Sequence, residues 1–252
     1  SRSPLVLVLT QARFMMDLTN LSPNKYEEID GIMGLIGYPM AQTSSESSSS
    51  LQVYKREYVK QDLSYRVMIA GSFISLYCVD SGDGISYRGH ESFIEEFRTV
   101  LDALSPLIDG ARVGRLGYRY VDLLTIDDAS RVLRPAARGL AATVDDRYAA
   151  CSSLIDARLS FDAGCNVDTS ESIPENGVHV ATGTIAPGAI IDPSIPPTKA
   201  TQWVIDVDAY LSQPSLSSAS DVLCDQADFL SSSARDVFYS MVVNDQFEEL
   251  FA

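Results

Sequence analysis

The stretch Ala111 to Ile126, ARVGRLGYRYVDLLTI, constrains the fold more than any other part of the chain. It reads as one long strand and follows directly on the clearest helix. In that helix, Glu91 to Ile108, the residues Phe93, Phe97, Val100, Leu101, Leu104 and Ile108 form a single apolar stripe. Glu95, Glu96, Arg98 and Asp102 point elsewhere. Asp109-Gly110 stops it, and Pro106 predicts that it ends a few residues early. A helix with one apolar face, joined by so short a stop to a long strand, buries its stripe against the sheet that strand belongs to.

On either side of this pair the chain repeats an order of elements. Pro4 to Phe14 reads as a strand. Tyr26, Ile29, Met33 and Ile36 recur at helical spacing, with Asn24 as N-cap and Glu27 three residues on. Gly37 and Pro39 end that helix. The low-complexity run Thr43 to Ser50, TSSESSSS, has no apolar anchor and reads as a mobile surface loop. Three strands follow, Leu51 to Gln61, Ser64 to Gly71 and Phe73 to Asp80, the last two joined as a tight hairpin.

Beyond the long strand, Ala136 to Ala142 reads as a short helix. Ser153 to Gly164, Gly177 to Ile185 and Gln202 to Leu211 read as strands. Leu223, Ala227, Leu230, Val237, Phe238 and Met241 give a closing helix from Ser220, and Gln246 to Phe251 a shorter one. The expected fold class is therefore α+β. It is a pseudo-duplicated β-α-β-β-β-α unit, with a largely antiparallel sheet and two long helices packed on it. Residues 1–110 form the first half and 111–252 the second, together one compact domain.

Charge narrows the partners. The net charge is −15, and it is uneven. Residues 1–126 hold 12 Lys/Arg against 15 Asp/Glu, and residues 127–252 hold 7 against 19. A field of that sign repels phosphates, so no direct nucleic-acid binding is expected. No apolar run is long enough to span a membrane, and no signal-peptide pattern opens the sequence, so a cytoplasmic protein is expected. The four cysteines are far apart and no histidine stands at ligand spacing, which predicts reduced thiols and no metal or other cofactor. Ser81-Gly82-Asp83-Gly84 lacks the ending of a phosphate loop. His90 and His179, the only histidines, have no nucleophile at a recognisable spacing, and His90 reads as a capping or surface residue. No catalytic residues are assigned.

Several segments resemble a sporadically distributed, uncharacterised bacterial family of roughly this length. PLVLVLTQARF resembles its opening strand, ISYRGHESFIEEF its turn into the central helix, and RLGYRYVDLL its most distinctive strand. WVIDVDAYL and FYSMVVNDQFEELF are similar to its last strand and helix. Val121-Asp122 departs from the polar residue the family shows after the tyrosine pair. The family's patchy distribution implies a defence or mobile-element setting, and it brings no established active site.

Period-two alternation puts Arg115, Gly117, Arg119, Val121 and Leu123 on one face of the long strand. Leu116, Tyr118, Tyr120 and Leu124 share the other. Two guanidinium forks flanking a glycine suit a carboxylate or phosphate, so Arg115, Gly117, Tyr118 and Arg119 form the candidate ligand site. The competing expectation is an internal ion-pair network of Arg115 and Arg119 with Asp206 and Asp208, which lie two apart on the strand from Gln202. The expected function is a non-enzymatic protein-interaction or ligand-sensing component of a bacterial defence or mobile-element system. Its partner would be another protein, such as a basic nuclease or a defence component. The alternatives are a module for a small anionic ligand or nucleotide, and an acidic DNA-mimic inhibitor.

Overall fold

A computed structural model of the chain describes residues 3–16, 18, 23–48, 51–80, 84–138, 152–158, 176–212 and 216–251. The strands are β1 (Leu5–Phe14), β2 (Met40–Ser48), β3 (Leu51–Val59), β4 (Arg66–Ala70), β5 (Phe73–Val79), β6 (Arg112–Leu124), β7 (Ser152–Arg158), β8 (Asn176–Ile185), β9 (Gln202–Leu211) and β10 (Leu216–Ser217). The helices are α1 (Pro23–Leu35), α2 (His90–Ala103), α3 (Ser105–Ile108), α4 (Ile126–Val132), α5 (Ser220–Val237) and α6 (Gln246–Phe251). A π-helical turn, Phe238–Val242, extends α5.

The fold is α+β. Among the described residues nine strands form one sheet in the order β2-β3-β4-β5-β1-β6-β9-β8-β7, with the two-residue β10 paired beside them to β6. Every pairing is antiparallel. β1 and β6 meet at the centre, Val8 opposite Tyr120 and Gln11 opposite Gly117. The apolar stripe of α2 (Phe93, Phe97, Val100, Leu101) and that of α5 (Leu223, Ala227, Leu230, Ala234) bury against one face of this sheet in a single core. Ile29 and Met33 of α1 join the same core. Cys78 and Cys224 are buried within it, and burial pushes their thiols up to about 12 and about 11. Among the described residues no helix is long and apolar enough to cross a membrane.

Several expectations are corrected. Four strands follow α1 where three were expected, because much of the serine-rich run belongs to β2, paired from Met40 opposite Val59 to Ser48 opposite Leu51. A sheet's edge strand is held by backbone hydrogen bonds and needs no apolar face, which is why polarity misleads there. Pro23 already starts α1, so Asn24 lies in its first turn rather than at its cap. The helix after β6 is α4, capped by Thr125, whose hydroxyl accepts the Asp128 N–H at 3.1 Å. Ala136 to Arg138 is a turn, and the rest of that expected helix lies outside the described residues, as does the end of the strand expected to reach Gly164. As Pro106 predicts, α2 stops at Ala103, and the proline sits in the short α3.

Candidate functional site

The two faces of β6 carry different chemistry. Away from the helices, Leu7, Tyr77 and Val121 are covered by Ile195 from the proline-rich link between β8 and β9. Beside that small apolar cluster lie the predicted charges. Arg119 grips Asp206 with two prongs, Nε to Oδ1 and Nη2 to Oδ2, both at 2.8 Å. Its third nitrogen, Nη1, donates to Asp192 at 2.7 Å, a residue of the link that the sequence reading did not include. Arg115 donates to Asp208 at 2.9 Å and lies 4.6 Å over the Tyr210 ring. Gly117 pairs with Tyr210 across the strands, and a side chain there would meet the Asp208 carboxylate at 3.5 Å. That distance is ordinary van der Waals contact, and a cavity of about 400 Å³ lies over the glycine, lined by Arg115, Arg119, Asp192, Asp206 and Asp208.

Electrostatics follow from this packing. Burial alone would raise Asp192, but the Ser194 hydroxyl and N–H, together with Arg119, outweigh it and hold the carboxyl below its usual range. For Asp208 burial wins over Arg115 and Arg119, and its carboxyl is raised. Burial would lower Arg119, yet Asp206 and Asp192 more than offset it and raise the guanidinium above its ordinary value. Two arginines thus face three carboxylates. Both guanidinium groups are already engaged.

Tyr118 does not join the other three residues proposed for a ligand site. Alternation along β6 turns it to the helix side, where it is fully buried. There its hydroxyl lies 3.3 Å from His90 Nδ1, whose Nε2 is 2.6 Å from Asp228 on α5. Tyr118 also shares hydrogen bonds with Tyr87 and Tyr120, and Tyr120 OH pairs with Ser231 Oγ at 2.7 Å. His90 is thus a link between β6 and α5; the cap position before it belongs to Gly89.

This network borders a cavity of about 490 Å³ between the end of β6, the turn before α2, α5 with its π-turn, and α6. Its walls are largely aromatic: Tyr87, Tyr120, Phe238, Tyr239, Phe247 and Phe251. Phe238 and Phe247 meet edge to face, 5.0 Å between ring centres. Asp122 lines this chamber while only 6% exposed. Its carboxyl has no hydrogen bond or ion pair among the described residues, and burial pushes it up to about 7.

Three backbone irregularities surround the chamber. The register between β1 and β6 shifts from Leu7 opposite Val121 to Leu5 opposite Asp122, leaving Val6 as an extra residue. The π-turn supplies Phe238 and Tyr239. Gly89, at φ 102°, turns the chain into α2 at the chamber wall. Bulges and π-turns recur where a sheet or helix is bent to serve a site.

Asp122 is the residue that sequence reasoning missed. A signal existed: it occupies the even-numbered face of β6 with Leu116, Tyr118, Tyr120 and Leu124, an ionisable group on an otherwise apolar and aromatic face. No protein-family model and no curated protein matches this chain.

Proposed function

We propose that the chain is a ligand-sensing protein without catalytic activity, and that its binding chamber is the aromatic cavity lined by Asp122. The observation that carries this reading is a carboxyl almost wholly buried, unpaired among the described residues, and set in a cavity of about 490 Å³. That size suits a small molecule, and so do apolar walls with few polar groups. The arginine cluster on the opposite face supports an anionic ligand less well, because Arg115 and Arg119 are committed to Asp208, Asp206 and Asp192.

Screening a small-molecule collection by thermal shift tests the reading. Binders raise the melting temperature by mass action, and Tyr239→Ala and Phe251→Ala, which strip the chamber wall, weaken them. Absence of any binder, or binders indifferent to both substitutions, would sink it. A second reading, proton transfer by Asp122, is favoured by a carboxyl that titrates near neutrality. It requires that a bound compound be chemically altered, which NMR of the recovered ligand would show.

The sheet order supports an ancestral duplication of the two halves. From the centre outward the first half reads β1-β5-β4-β3-β2 and the second β6-β9-β8-β7. In each, the opening strand is central, and the following strands start at the outer edge and meander back. The proposed setting in a defence or mobile-element locus rests on the family resemblance and is tested by the neighbouring genes.

A further inference from the structure

We infer that the chamber takes an organic cation, an amine attached to an aromatic or alkyl body, with its charged nitrogen against Asp122; this rests on the ligand-sensing reading above. The argument is one of unmet demand. Two of the hydroxyls around the chamber are already satisfied within the protein: Tyr120 by Ser231 and Tyr118 by His90. What remains unpaired among the described residues is an acceptor, the Asp122 carboxylate. The ligand group that completes the site is therefore a donor, and a cation offsets the buried charge best.

The walls suit the same group. Tyr87, Tyr120, Phe238 and Tyr239 line the chamber, and aromatic rings attract a cation through their quadrupoles while ring and alkyl carbons fill the rest. The other titratable or charged groups facing the chamber are His90, Arg235 of α5 and Glu248 of α6, besides the hydroxyls of Tyr87, Tyr120 and Tyr239. Asp122 and Glu248 set two acids against the single Arg235. Among the described residues no bond pairs Arg235 or another cation with Asp122, so the cation is left for a ligand to bring.

The test measures calorimetric binding of arylalkylamines, headed by phenethylamine, each beside its neutral isostere, here 2-phenylethanol. Asp122→Asn and Arg235→Gln are run in parallel. At about pH 8, where Asp122 is ionised, the amines should bind about tenfold or more tighter than the alcohols. The preference should vanish in Asp122→Asn, persist in Arg235→Gln, and shrink near pH 5.5 as the carboxyl takes up a proton. Alcohols that bind as tightly as amines, or amines indifferent to Asp122→Asn, would overturn the cation while leaving a ligand-binding chamber. Failure of both series to bind would overturn the cation and count against the chamber as well.

Discussion

Arg119 and Asp122 stand three residues apart on β6 and meet opposite fates. Arg119 points away from the helices and is clamped by Asp206 and Asp192 at 2.7–2.8 Å. Asp122 points toward them and is buried with no partner among the described residues. The odd step between them places one on each face, so the same strand carries a charge that is satisfied and one that is not. The second is the better guide to function, because a structural role is the usual end of a paired arginine.

Asp122→Asn should stabilise the protein near and above neutral pH. The folded state holds the Asp122 proton more tightly than the unfolded chain between the usual 3.8 and about 7. Stability therefore falls as pH rises through that window, by on the order of 4 kcal/mol in all, and stays low above it. Urea denaturation should show most of this gain for the variant near pH 8 and little near pH 4. An equal effect at both would contradict the assigned cause.

Arg119→Met should destabilise by roughly 3 kcal/mol at neutral pH, since it leaves Asp192 and Asp206 partly buried and unpaired. Asp192 titrates below its usual range, so its contribution is present above its unfolded pKa and is lost as pH falls through the lowered folded value. The gap between variant and wild type should accordingly narrow in acid. Chemical denaturation across that range checks it, and a gap that widens would contradict the pairing.

Tyr118→Phe should cost about 1 kcal/mol or somewhat more, because it removes a buried hydroxyl that joins His90 to the tyrosine cluster. Asp228 is the outer end of the same chain and is largely exposed, with 63% of its side-chain surface accessible. Asp228→Ala should therefore cost less than Tyr118→Phe. Comparing the two denaturation midpoints decides it, and the reverse order would place the network's weight at the surface.

Two glycines should respond in opposite directions to alanine. Gly89 has φ 102° and open space where a Cβ would go, so Gly89→Ala should destabilise by about 1 kcal/mol through backbone strain alone. Gly31 lies inside α1, also with open space, and Gly31→Ala should stabilise by roughly 0.5–1 kcal/mol. Thermal melts of both variants suffice as the check.

Much of the fold was legible because it rests on periodicity. The stripe from Phe93 to Leu104 and the alternation from Trp203 to Leu211 each name their buried face without further information. β2 was not legible, since its pairing is made by backbone and its side chains carry no pattern. Arg115, Arg119, Asp206 and Asp208 could be placed on their faces, but Asp192 could not, because a proline-rich link brings it there. Asp122 was hidden for another reason. A lone acid in a strand looks like a solvent-facing residue until α5, the π-turn and α6 close over it.

The most direct test of the account is the titration of Asp122 itself, followed by NMR of its labelled side-chain carboxyl carbon, with Asp122→Asn to assign the signal. In the ligand-free protein the midpoint should lie at about 7, and an amine ligand should pull it down toward the ordinary carboxylate range. A midpoint already near 3.8 in the free protein would mean that Asp122 has water or a partner beside it, and the chamber would lose the demand that calls for a ligand.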